Sequence, residues 1–87
     1  MLKNYMEDMV NNALPKILDQ HEDMCRCAQC MADVKAMALN NLKPLYFASN
    51  KGGVYNKLKE LEIQFSADIA REITKAIEIV SNNPYHD

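Results

Sequence analysis

The stretch VYNKLKELEIQFSADIAREITKAIEIVSN, residues 54–82, decides the fold. It holds neither proline nor glycine. Val54, Leu58, Leu61, Phe65, Ile69, Ile73, Ala76 and Val80 recur every three or four residues, the period of an amphipathic helix. At 1.5 Å per residue this helix is a rod of roughly 40 Å. Plotted at 100° per residue, Ile63, Ala70 and Ile77 fall beside the stripe and widen the apolar face to roughly half the circumference. One neighbouring helix does not cover that much. Either two further helices of the same chain cover it, or the chain pairs with itself. Glu72 lies near the centre of the stripe, which suits either a buried partner such as a Lys or Arg or a wetter spot there.

Working outward, residues 42–53 (LKPLYFASNKGG) hold both glycines and one proline and mark the one long connection, in which Leu45 to Ala48 read at most as a short extended piece. Residues 28–41 repeat the helical pattern, with Met31, Val34, Ala38 and Leu39 on one side, and end ahead of Pro44. Residues 2–23 carry Leu2, Tyr5, Met6, Met9, Val10, Ala13, Leu14, Ile17 and Leu18 at spacings of three and four. Pro15 lacks an amide hydrogen and its ring opposes the carbonyl four residues back, so a kink is expected near Asn11 and Asn12. The expected fold is therefore all-α: three main helices, about 2–23, 28–41 and 54–82, in a compact bundle. Because the third helix overhangs the two shorter ones, the bundle is expected to form an intertwined homodimer.

Eighty-seven residues and 9.9 kDa make one domain, residues 1–87, and exclude an enzyme with its site in an interdomain cleft. So short a chain usually draws stability from a metal, a disulfide or a partner subunit. With 48% hydrophobic and 25% charged residues the chain is composed like a folded domain and unlike a disordered tail. Its net charge of −2 disfavours a broad phosphate-neutralising face and hence direct DNA binding. No apolar run is long enough for a membrane span, and Lys3, Glu7 and Asp8 interrupt the start where a signal peptide needs an apolar stretch, so a cytoplasmic location is expected.

The chemistry gathers at Cys25-Arg26-Cys27-Ala28-Gln29-Cys30. Cys27 and Cys30 stand three apart at the start of the second helix, which puts both sulfurs on one side of its first turn. The positive end of that helix favours thiolates, and Cys25 can fold back toward the same point. Three thiolates in reach of one another repel unless a cation or protons intervene. Zinc is the usual cation, and cysteine-rich sites of this kind are structural, since thiolate donation weakens the ion as a Lewis acid. A fourth ligand could be His21, four before Cys25; His86, after the long helix; Asp33, one turn beyond Cys30; or water. The spacing of Cys27 and Cys30 is also that of thioredoxin-type redox pairs, but the βαβ setting of that motif is missing, and nothing marks a base or oxyanion site for a cysteine nucleophile.

The residues also match a family pattern. Asn4-Tyr5, the three cysteines, then Asp33-Val34-x-Ala36-Met37-Ala38-Leu39-Asn40-x-Leu42-x-Pro44-x-Tyr46, a glycine before Tyr55-x-Lys57, and Ala76-Ile77 with Asn83-Pro84-x-His86 resemble the late competence development protein ComFB family over nearly the whole chain. The family pattern often has two consecutive prolines where this chain has Lys43-Pro44, and some members lack the cysteines. The resemblance implies a small all-α homodimer with zinc in cysteine-bearing members, no enzymatic activity, and a role in bacterial signalling as a receptor for cyclic dinucleotides, chiefly cyclic di-GMP. The recurring Asn-Pro-x-His tilts the choice of fourth metal ligand toward His86.

A cyclic dinucleotide offers two phosphates and two purines, so its site needs cations or backbone amides together with stacking groups and amide edges. Around the long connection Lys35, Asn40, Tyr46 and Lys57 are the candidates, with Lys43, Lys51 and Tyr55 nearby and two glycines that let the backbone approach a phosphate. Only Arg26 and Arg71 could give bidentate guanine contacts. The alternative is a protein-interaction adaptor with a structural zinc and no small ligand, using the apolar face of the long helix or the Met-rich first helix to bind a downstream protein partner.

Overall fold

In the computed structural model, which describes residues 3–46 and 53–82, three helices follow one another: α1 (Met6–Leu18), α2 (Ala28–Asn40) and α3 (Gly53–Asn82). Among the described residues there is no strand, only an isolated antiparallel bridge between Asn4 and Tyr46.

α1 is shorter than the periodicity suggests. Its start is set by Asn4, whose Oδ1 accepts the Met6 amide at 3.1 Å, an Asx turn that fixes the first turn of helix. The residues before it are drawn away to the connection ahead of α3: the Tyr5 amide donates to the Leu45 carbonyl at 2.7 Å. The helix ends at Leu18 because Asp19, Gln20, His21, Glu22 and Asp23 carry nothing apolar to bury, and the chain turns through Gln20 N–H to Ile17 O and His21 N–H to Leu18 O. It runs unbroken through Pro15, which is exposed. Met6, Met9, Val10, Leu14 and Leu18 form its buried stripe.

α2 occupies nearly the expected span and buries Cys30, Val34 and Ala38, one residue per turn. Its end is closed by Asn41, whose Nδ2 donates to the Met37 carbonyl at 3.0 Å. α3 matches the expected span, with 30 residues and a length of about 45 Å, close to the 42 Å long dimension of the whole structure. It packs more extensively on α2 than on α1.

The core lies toward the second half of α3, where Ile69, Ile73, Ala76, Ile77 and Val80 meet Val10 and Leu14 of α1 and Val34 and Ala38 of α2. Leu58, Leu61 and Phe65, in the first half, are only partly buried. The widened face is covered unevenly: Ile77 is buried, Ala70 half-buried, and Ile63 remains 79% exposed. The buried carboxylate of Glu72 has cationic partners, but exposed ones and not the buried partner that was one of the two alternatives. Arg71 Nε lies 3.4 Å and Lys75 Nζ 3.6 Å from its Oε2, both cations reaching in from solvent on the same helix. Among the described residues no helix is long and apolar enough to cross a membrane.

Candidate metal centre

Between α1 and α2 the chain makes a short excursion, and two contacts hold it in place. Met24 is buried in the core. The Arg26 guanidinium donates through Nη2 to the Leu18 carbonyl at 2.6 Å, adding a positive charge at the C-terminal end of α1 to a carbonyl that also accepts the His21 amide. Arg26, by residue type a candidate for a guanine contact, is therefore committed to the scaffold. It brings the cysteine segment against the end of α1.

On this support the three sulfurs of Cys25, Cys27 and Cys30 converge to within 4.8 Å of one another. Each is a free cysteine, with Cys25 and Cys27 exposed and Cys30 buried. Cys27 is the N-cap of α2: its backbone is extended, with φ −70° and ψ 164°, and its Sγ accepts the Cys30 amide at 3.4 Å. That N–H, followed by the Cys25 thiol, lowers the pKa of Cys27 and favours its thiolate. Cys30 moves the other way. Burial, and then hydrogen bonding to Cys25 and Cys27, push its thiol from the ordinary 9.0 up to about 12.

The donor set suits a thiophilic metal ion. Sulfur at about 2.3 Å from a four-coordinate ion implies about 3.8 Å between sulfurs at the tetrahedral angle. The observed separations are therefore within about 1 Å of that spacing, a difference side-chain rotation can take up. Among the described residues His21 and Asp33 are not members of this cluster. Asp33 accepts instead from Gln29 Nε2 at 3.0 Å, and His21 is half-buried in the turn after α1. His86 and Lys51 lie outside the described residues.

The nucleotide candidates are dispersed over three elements. Lys35 is half-buried on α2, Asn40 is its exposed last residue, and Lys57 is exposed early on α3. Tyr46 is 56% exposed, although its segment is firmly held. The Asn4 Oδ1 that caps α1 also accepts the Leu45 amide at 2.9 Å, so one side-chain oxygen joins the start of α1 to the connection leading to α3. This double role escaped the sequence reading, where Asn4 counted only as part of a family pattern. Its signal was an Asn two residues ahead of an apolar-periodic run. Also unforeseen is an open groove of about 540 Å³ between α1 and α3, lined by Met9, Ala13, Ile17 and Ile63 with Lys16, Lys59 and Glu62 at its margin; none of the four nucleotide candidates lines it.

A small all-α protein with a three-cysteine metal-ligand cluster at the start of its second helix is the class these features define. The family model of the late competence development protein ComFB matches residues 3–84, and the chain belongs to that family. Among solved structures it is similar to the late competence protein ComFB from Bacillus subtilis, at 25% identity and a TM-score of 0.78, covering 98% of this chain and 96% of that one. No curated protein matches the chain.

Proposed function

We propose that this chain is a non-enzymatic cytoplasmic signalling protein, a homodimeric receptor for a cyclic dinucleotide, chiefly cyclic di-GMP, with a structural zinc. Zinc is favoured among thiophilic ions as the usual occupant of a donor set of three cysteine sulfurs, here within 4.8 Å of one another. Cys25, Cys27 and Cys30 would hold it, with His86 as fourth ligand and His21 as the alternative. When bound, the ion would tie the end of α1 to the start of α2, a cross-link that a core of this size needs.

The observation that carries the receptor reading is Tyr46, an exposed aromatic ring on a backbone fixed by Asn4. A solvent-facing ring on a pre-ordered segment loses little entropy when a purine stacks on it. Lys35, Asn40 and Lys57 would supply cations and an amide edge for phosphate and base. In a twofold dimer the set is duplicated, which suits a ligand of nearly twofold symmetry. Calorimetric titration of the full chain with cyclic di-GMP tests the reading. Saturable heat at micromolar ligand, weakened about tenfold or more in Tyr46→Ala, is the expected result. Absence of heat at tens of micromolar ligand would refute it.

The adaptor reading is favoured by the groove between α1 and α3 and by Ile63 beside it. Such a surface suits an amphipathic partner helix.

A further inference from the structure

We infer that the cysteine cluster is a site of reversible oxidation, at which hydrogen peroxide joins Cys27 to Cys30 in a disulfide and the bound metal ion is released. The release rests on the zinc reading above; the disulfide does not, because it needs only the two thiols.

The geometry favours this pair over Cys25 and Cys27. Cys27 is exposed and caps the helix, whereas Cys30, in its first turn, is 1% exposed. Residues three apart in a helical turn have Cα atoms about 5 Å apart, inside the 4.4–6.8 Å range that a disulfide spans. The Cys30 amide already points at Cys27 Sγ, at 3.4 Å, and the two sulfurs lie within 4.8 Å of each other. Cys25 is close as well, but the one residue between it and Cys27 is Arg26, whose guanidinium is bound to the Leu18 carbonyl at 2.6 Å. A bond between Cys25 and Cys27 would close a tight ring around a residue anchored elsewhere. A bond from Cys27 to Cys30 leaves that anchor and the buried Val34 and Ala38 undisturbed.

Exposure divides the labour. The Cys27 thiolate meets the peroxide, takes one oxygen to become a sulfenic acid and releases hydroxide. The Cys30 sulfur, shielded from solvent and within 4.8 Å, attacks the Cys27 sulfur and gives up its proton to the departing hydroxyl, forming the S–S bond and water. In sum the Cys27 thiolate, the Cys30 thiol and one hydrogen peroxide give one disulfide, one hydroxide and one water, with the Cys30 proton passing to the departing oxygen and two electrons passing from sulfur to peroxide. The cluster is left with one thiolate, Cys25, too few donors for a four-coordinate site. A small dithiol returns the two electrons, restores both thiols and lets the metal rebind. The redox-type spacing of Cys27 and Cys30 noted in the sequence thus acquires a use without a βαβ fold.

The test treats the full-length zinc-loaded chain, and the same chain stripped by chelator, with equimolar hydrogen peroxide, then measures released zinc with a colorimetric chelator and maps disulfides by peptide mass spectrometry. The expected result is a peptide pair lighter by two hydrogens joining Cys27 to Cys30 in both samples, with zinc release tracking bond formation and reversed by dithiothreitol. Cys25→Ser should form the same bond. Zinc retained with all three thiols intact, a bond from Cys25 to either of the other two cysteines, or sulfinic acid without any bond would overturn the inference. A chain that forms the Cys27–Cys30 bond but never carried zinc would uphold the disulfide and overturn the metal reading.

Discussion

Asn4 offers the sharpest test of how the chain is held together, because a single oxygen serves two distant segments. Its Oδ1 accepts the Met6 amide at 3.1 Å and the Leu45 amide at 2.9 Å. Asn4→Ala removes both bonds and leaves two part-buried N–H groups without that acceptor. At about 1 kcal/mol for each bond in a site that water can reach, the loss is about 2 kcal/mol. For a domain of this size 1 kcal/mol moves the melting temperature by about 4–8 °C, so a fall of about 8–16 °C is expected by circular dichroism. Asn4→Asp keeps an acceptor oxygen in the same place and should stay within about 1 kcal/mol of the parent. Limited proteolysis should cut Asn4→Ala faster near Tyr46, since the bridge holding that segment is lost. A melting temperature for Asn4→Ala within about 3 °C of the parent would refute the assigned role, as would an Asp variant as damaged as the Ala variant.

Ile73 is fully buried at the meeting of the three helices, and Ile73→Ala should cost about 2–5 kcal/mol in urea unfolding; under 1 kcal/mol would place the core elsewhere. Glu72→Met replaces a buried carboxylate whose partners, Arg71 and Lys75, are themselves solvated, so it should be neutral or stabilising by up to about 2 kcal/mol; a clear loss would mean that the carboxylate serves a further contact. In the metal-free protein the Cys30 thiol is pushed from 9.0 to about 12, so the folded state holds this proton more tightly than the unfolded chain. That contribution to stability is present in full below pH 9 and is lost as pH rises toward 12. Chelator-treated protein should therefore lose stability on raising the pH from 9 to 11, in excess of the Cys30→Ala variant, which lacks this proton. Equal pH dependence of the two would contradict the buried-thiol geometry.

Much of the fold was legible because apolar spacing is a direct imprint of burial. α2 and α3 end within a residue of where their periodicity and flanking Gly, Pro and Asn residues put them. α1 was overextended at both ends for a physical reason. Tyr5 fits the helical stripe, but its amide is used by Leu45, a long-range contact that periodicity does not register. At the other end, His21 and its acidic neighbours were counted into the helix although they bury no stripe. The cysteine cluster was readable because helical geometry alone brings Cys27 and Cys30 together. The scaffold beneath it was not: Arg26 looks in sequence like a free cation, and only the fold shows its guanidinium spent on Leu18 O. The groove between α1 and α3 was equally hidden, since its lining comes from residues about fifty positions apart.

Three sulfurs are proposed to hold a zinc ion that fastens α1 to α2. Elemental analysis of the purified chain, paired with thermal melts before and after chelation, tests this most directly. About one zinc per chain, a large fall in melting temperature on its removal, and Cys27→Ser destabilised by several kcal/mol are the predicted results. A chain free of metal that folds fully and melts at the same temperature with or without chelator would contradict the account.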